Sequence, residues 1–145
     1  MKINNVLTVC VGNICRSPVA QALFKQHYPH LEVQSAGIEA PVGKDIHPTM
    51  GALLKRNNLE LANHRSKIVS KLMMRWADLI IVMESWQRDD LMAIDPTSAG
   101  KIFALGHFLK LEIMDPVNHD DAFFEQTCHT IEQCVISWQQ LIKPN

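Results

Sequence analysis

Residues 6–18 read VLTVCVGNICRSP, and this stretch decides the fold. Val6 to Val11 is a short, nearly continuous apolar run rich in β-branched residues, the pattern of a strand buried on both faces. Gly12-Asn13 ends it, and Ser17-Pro18 opens a helix, with Ser17 suited to the N-cap and Pro18 to the first helical position. Val19, Ala20, Leu23 and Phe24 then make one apolar helix face. A buried strand that passes through a tight loop into a helix is the opening unit of an α/β fold.

The pattern continues downstream. Leu31 to Ser35 alternates as a second strand, ended by Ala36-Gly37. Pro48 to Asn57 reads as a helix with Met50, Leu53 and Leu54 inward, and Ser66 to Trp76 as another. Leu79 to Met83 (LIIVM) is a second fully apolar strand, followed at once by a helix that Ser85 caps; Ile102 to Leu105 is a fourth, short strand. In the last helix, Asp121 to Ile142, the apolar positions Phe124, Cys128, Ile131, Val135, Trp138 and Ile142 alternate spacings of four and three, which makes a single buried stripe. Strands alternating with helices, two of them apolar on both faces, indicate a parallel sheet. No repeat or linker divides the 145 residues, so residues 1–145 are expected to form one domain.

Bulk composition excludes several classes. Hydrophobic residues make up 47% and charged residues 20%, an ordinary globular balance. A formal net charge of -1 with scattered His argues against generic nucleic-acid or acidic-membrane binding. No apolar run approaches the roughly 18 residues of a membrane span, and the first residues do not resemble a signal peptide, so the expectation is a cytoplasmic protein without membrane insertion. The four cysteines fall as Cys10 with Cys15 and Cys128 with Cys134, neither pair at C-x-x-C spacing, so no metal or structural disulfide is expected.

In an open parallel sheet ligands bind at the carboxyl edge, where strand ends meet helix starts. The turn after the first strand is therefore where chemistry is sought. Five residues separate Cys10 from Arg16: Val11, Gly12, Asn13, Ile14 and Cys15. A loop of that length, closing onto a helix N-terminus, can curl its backbone N–H groups around one phosphate dianion. Gly12 and Asn13 tolerate the positive φ that such a curl needs. Arg16 can hold two phosphate oxygens with its planar fork. The same groups favour the thiolate of Cys10, a strong nucleophile toward phosphorus, and the Ser17 hydroxyl can hydrogen-bond that sulfur. Transfer of a phosphoryl group from an ester needs a proton for the leaving oxygen; Asp115, which precedes Pro116 in a polar connection, reads either as that acid or as a turn residue before Pro. Asp120 and Asp121 are its rivals, though they suit the first turn of the last helix better.

The string VCVGNICRSP resembles the signature of low-molecular-weight protein tyrosine phosphatases, and Ser35-Ala36-Gly37 and Asp115-Pro116 extend the likeness along essentially the whole chain. The resemblance implies a four-stranded parallel sheet flanked by helices, with a phosphate-binding loop after the first strand. It implies hydrolysis of phosphotyrosine through a phosphocysteine on Cys10, with no cofactor. It implies that Ser35 and His64 support Asn13 in its strained conformation, and that Cys15 is either a packed hydrophobe or a thiol that captures oxidised Cys10. The loop and the short segment between Ser35 and Pro48 are similar to the bacterial branch. There the implied partner is a phosphotyrosine protein, such as a tyrosine autokinase that controls exopolysaccharide production.

One departure stands out. Val117 follows the Asp-Pro pair where much of the family has a ring-stacking aromatic, so Val11, Ile14, the Glu39 to Val42 segment or Trp86 must form the entrance. Three other functions share parts of the pattern. An arsenate reductase of this fold needs further redox cysteines, and residues 84–91 (ESWQRDDL) hold none. A phosphocysteine sugar-transport carrier has no need of Arg16 and Asp115. A phosphotyrosine-binding module would typically lose Cys10 or Asp115, and both are present.

Overall fold

A computed structural model of the chain describes residues 2–59, 61 and 63–143. Four strands, β1 (Asn5–Cys10), β2 (Glu32–Gly37), β3 (Leu79–Val82) and β4 (Ile102–Ala104), form one sheet in the order β2-β1-β3-β4. Every pairing is parallel, with Thr8 opposite Ser35 on one side and Ile81 on the other. The protein is thus a single-domain α/β fold with helices on both faces of a parallel sheet, as the alternation of apolar runs predicts.

Helices α1 (Arg16–His27), α2 (Pro48–Arg56) and α5 (Asp121–Ser137) cover one face. Their side of the core takes the residues whose periodicity marked them: Val19, Ala20, Leu23 and Phe24 of α1, Met50, Leu53 and Leu54 of α2, and Phe124, Ile131 and Val135 of α5 are all buried. Cys128 sits in the same stripe, half-buried. Helices α3 (Lys71–Trp76) and α4 (Ser85–Ile94) cover the other face, over Leu7, Val9, Ile80 and Val82. Neighbouring positions of β1 and β3 serve opposite cores, which is why both strands read as unbroken apolar runs.

Several boundaries differ from the sequence expectation: β2 runs through Ala36 and Gly37, expected as its end, and the other strands shift by one residue at an end. Helix α1 begins at Arg16 after a Cys15 N-cap that makes no side-chain cap hydrogen bond. Ser17 is therefore inside the first turn, with its hydroxyl directed at Cys10 rather than at the helix N–H groups. Residues 66–70 are extended, with Ile68 bridged to Gly37, and the helix there is only Lys71–Trp76, capped by Ser70. Beside the end of a parallel strand, unpaired backbone groups gain more from extending the sheet than from one further helical turn. Glu84, not Ser85, is the N-cap of α4, in a reciprocal capping box with Gln87. The last helix ends at Ser137 and tightens into a 3-10 turn over Trp138–Gln140, which still buries Trp138 and Ile142.

The chain leaves β1 for β2 on one side and later returns to β3 on the other. The carboxyl ends of β1 and β3 therefore bound the crevice where such sheets bind ligands.

Candidate active site

Cys10 is the last residue of β1 and is buried, with its sulfur at the head of the turn that follows. The Asn13 backbone N–H donates to Cys10 Sγ at 3.3 Å, and Ser17 Oγ lies 3.0 Å from the same sulfur. Residues 11–15 thus fold back over the thiol. Their outward carbonyls are satisfied from behind: Val11 O accepts from Glu39 N–H at 3.0 Å and Ile14 O from His47 N–H at 2.8 Å.

Asn13 holds the curl. It is fully buried with φ 55, a left-handed conformation that a non-glycine residue keeps only when its surroundings enforce it. Its Nδ2 donates to Ser17 Oγ at 2.9 Å and to Ser35 Oγ at 3.0 Å, while its Oδ1 accepts from Lys67 N–H at 3.1 Å. His64 Nε2 lies 2.7 Å from the Asn13 carbonyl and donates to it. Burial is the first cause that holds the His64 pKa below its ordinary value, so the ring is neutral with its proton on the nitrogen that faces Asn13. Gln21 completes the chain of contacts by accepting from Ser35 Oγ at 2.7 Å. Ser17 Oγ accepts from Asn13 Nδ2, and its own proton has two acceptors within reach, the Cys10 sulfur at 3.0 Å and the Ala36 carbonyl at 3.4 Å. Gly12 has no positive φ; Asn13 alone supplies the left-handed turn of the loop.

The floor of the loop depends on Gly37. A Cβ at that position would meet Val11 O at 2.5 Å and Asn13 N at 2.9 Å. Gly37 also lies opposite Cys10 in the β1–β2 register.

Arg16 is 2% exposed. Its Nη1 donates to Glu84 Oε1 at 2.5 Å and to Ile113 O at 2.8 Å, and its Nη2 is 3.9 Å from Asp115 Oδ2. The guanidinium is therefore fixed by groups after β3 and β4 while it belongs to the loop after β1. Asp115 is half-exposed, and its other oxygen, Oδ1, accepts from Val117 N–H at 3.0 Å. Asp120 caps α5 through Phe123 N–H at 2.9 Å and Asp121 occupies that helix's first turn, whereas the carboxylates at Arg16 are those of Glu84 and Asp115. Val117 is half-buried against the core, as is Ile14.

Cys15 is buried beside the loop, and its pKa is raised to about 12 by burial first and by the neighbouring Cys10 second. It remains a thiol at neutral pH. Cys128 and Cys134 are likewise pushed up to about 11, mainly by burial. All four cysteines are free thiols.

Sequence reasoning did not find Glu84. Its only local signal is an acid placed immediately after a fully apolar strand, at the carboxyl edge where function concentrates. Gln21, which supports Ser35, shows no local signal at all.

Comparison with known proteins places this geometry. Residues 5–145 match the family model described as low molecular weight phosphotyrosine protein phosphatase. The low molecular weight protein-tyrosine-phosphatase Ptp of Acinetobacter johnsonii is 39% identical over 98% of this chain and 100% of its own. The crystal structure of Erwinia amylovora tyrosine phosphatase amsI superposes with a TM-score of 0.93 at 32% identity, covering 97% of this chain and 94% of that one. The YwlE arginine phosphatase of Geobacillus stearothermophilus superposes with a TM-score of 0.88 at 30% identity, covering 94% and 91%.

Proposed function

This chain belongs to the low molecular weight phosphotyrosine protein phosphatase family and is a protein-tyrosine-phosphatase, and from that premise we propose that turnover runs through a phosphocysteine on Cys10. The observation that carries the reading is the position of the Cys10 sulfur: at the head of the loop, 3.0 Å from the Ser17 hydroxyl and 3.3 Å from the Asn13 N–H, with Arg16 closing the far end.

Each residue then has one task. The loop N–H groups and the Arg16 fork bind the phosphate dianion and stabilise charge on its equatorial oxygens in the transition state. Cys10 attacks phosphorus as a thiolate; the S–P bond forms as the P–O bond to the phenol breaks. Asp115, protonated, donates to the departing phenolate oxygen. In the second step the Asp115 carboxylate takes a proton from water, whose oxygen attacks phosphorus, and the S–P bond breaks. The Ser17 hydroxyl hydrogen-bonds the sulfur as it regains its negative charge. Ser35 and His64, through Asn13, keep the loop curled in both steps. Val11, Gly12, Ile14 and Cys15 supply the rest of the loop.

The substrate is proposed to be phosphotyrosine on a protein, with a bacterial tyrosine autokinase of an exopolysaccharide system as the partner. The support is the similarity to the bacterial branch. Such a kinase uses ATP, which sets the encounter in the cytoplasm. Among the described residues no helix is long and apolar enough to cross a membrane.

The test is rapid quenching with phosphotyrosine and phosphoarginine peptides. Phosphate trapped on Cys10 from the tyrosine substrate, and absent in Cys10→Ser, is expected. Faster transfer from phosphoarginine would reassign the substrate, and steady turnover by Cys10→Ser would end the phosphocysteine mechanism.

A further inference from the structure

Trp86 stands on the first turn of α4 with its side chain 48% exposed. Its indole Nε1–H donates to Glu84 Oε2 at 3.2 Å, and Oε1 of the same carboxylate accepts from Arg16 Nη1 at 2.5 Å. One carboxylate therefore joins the indole edge to the guanidinium that closes the loop. Asp115 meets the same guanidinium, with its Oδ2 3.9 Å from Arg16 Nη2. Val117 has turned inward against the core.

The apolar group beside the guanidinium is thus an exposed indole. Large apolar side chains left in water cost burial energy, and one set beside a polar cleft marks a contact surface. The hydrogen bond to Glu84 also fixes the indole in advance, so that little side-chain entropy is lost when a ligand packs on it. A phosphate seated in the loop and held by Arg16 carries its aryl group outward past this rim. An aromatic pair favours such an occupant.

We propose that Trp86 is a specificity-determining residue that packs on the substrate's aromatic ring. The proposal rests on the loop being the phosphate site described above. It goes beyond that reading by naming the surface that selects an aryl over an alkyl phosphate.

Binding of benzylphosphonate and methylphosphonate to the whole protein, measured by competition and by calorimetry, tests it without requiring turnover. Trp86→Ala is expected to weaken benzylphosphonate about tenfold, the scale of one aromatic contact. Methylphosphonate, which reaches only the loop, should change by less than about twofold on the same scale. Trp86→Phe should recover most of the benzylphosphonate affinity although it lacks the N–H. Equal losses for both ligands, or a Phe variant as poor as Ala, would show that Trp86 acts only by positioning Glu84 and Arg16, and would overturn the proposal. No loss in Trp86→Ala would overturn it as well. If neither phosphonate competes with substrate in the wild-type protein, it is the loop assignment that fails.

Discussion

Glu84 Oε1 lies 2.5 Å from Arg16 Nη1, so the cation that closes the loop is paired before any phosphate arrives. The carboxylate partly offsets the cost of burying a guanidinium that is 2% exposed. It also directs the plane of the fork, together with Ile113 O. Glu84→Gln should therefore separate two effects. With one negative charge gone, inorganic phosphate should inhibit about three- to tenfold more tightly, on the scale of a partly screened charge contact. With the fork less firmly held, kcat should fall. An unchanged phosphate affinity would show that Glu84 only caps α4.

Arg16→Lys should be far more damaging. A lysine ammonium cannot make two parallel hydrogen bonds to the transferring phosphoryl group, and loss of one such electrostatic contact costs on the order of 10² in rate. The check is kcat/KM with an aryl phosphate, and a value near wild type would remove Arg16 from the clamp.

Asp115→Asn should lower kcat for phosphotyrosine by roughly 10² or more, the usual scale of general-acid catalysis. The penalty should shrink for aryl phosphates whose phenols are already acidic and grow with more basic ones. Asp120→Asn and Asp121→Asn should show no such trend, because Asp120 is engaged as the α5 cap and Asp121 lies in that helix's first turn. A loss that does not depend on the leaving group would give Asp115 a structural role.

His64→Gln tests the support of Asn13 through pH. Burial holds the folded-state pKa of His64 below its ordinary 6.5. Between those two values the unfolded chain binds more protons, so the stability present above about pH 6.5 is lost as pH falls. Gln cannot titrate, and the acid limb of the variant's unfolding curve should be flatter through that range. Superimposable acid limbs would mean that His64 is not held neutral against the Asn13 carbonyl.

Thiol burial makes the opposite prediction at high pH. Cys15, Cys128 and Cys134 have folded-state values raised to about 12, 11 and 11 from an ordinary 9.0, and Tyr28 to about 12 from 10.0. Above about pH 9 the unfolded chain releases protons that the folded chain keeps, so stability should decline steadily from there. Denaturant midpoints from pH 8 to 10.5 measure this, and Cys134→Ala should reduce the slope.

What could be read from the sequence was local. The strand, the loop and the helix around Cys10 are contiguous, so spacing points to a phosphate-sized turn between Cys10, the proposed nucleophile, and Arg16. The apolar stripes of α1, α2 and α5 carry their own period. Glu84 is different: it meets Arg16 only because β3 lies beside β1, a neighbour relation that no local pattern encodes. The extended residues 66–70 escaped for the same reason, since their partner Gly37 is far away in the chain. Ser17 looks like a cap in isolation. The helix starts two residues earlier than that, and the Ser17 hydroxyl faces the sulfur instead.

Gly37 has no side chain to offer a substrate, yet the loop rests on the space it leaves. A methyl group there would press on Val11 O and Asn13 N from below, on backbone rather than on a flexible side-chain tip. Gly37→Ala should therefore inactivate the enzyme while Cys10, Arg16 and Asp115 remain chemically intact. A mutational scan scored on activity alone would rank this residue with the proposed nucleophile, although it takes part in no step of the proposed reaction. What it contributes is room, and an engineer seeking a wider or differently shaped anion pocket should change the residues facing Gly37 before touching those that face the substrate.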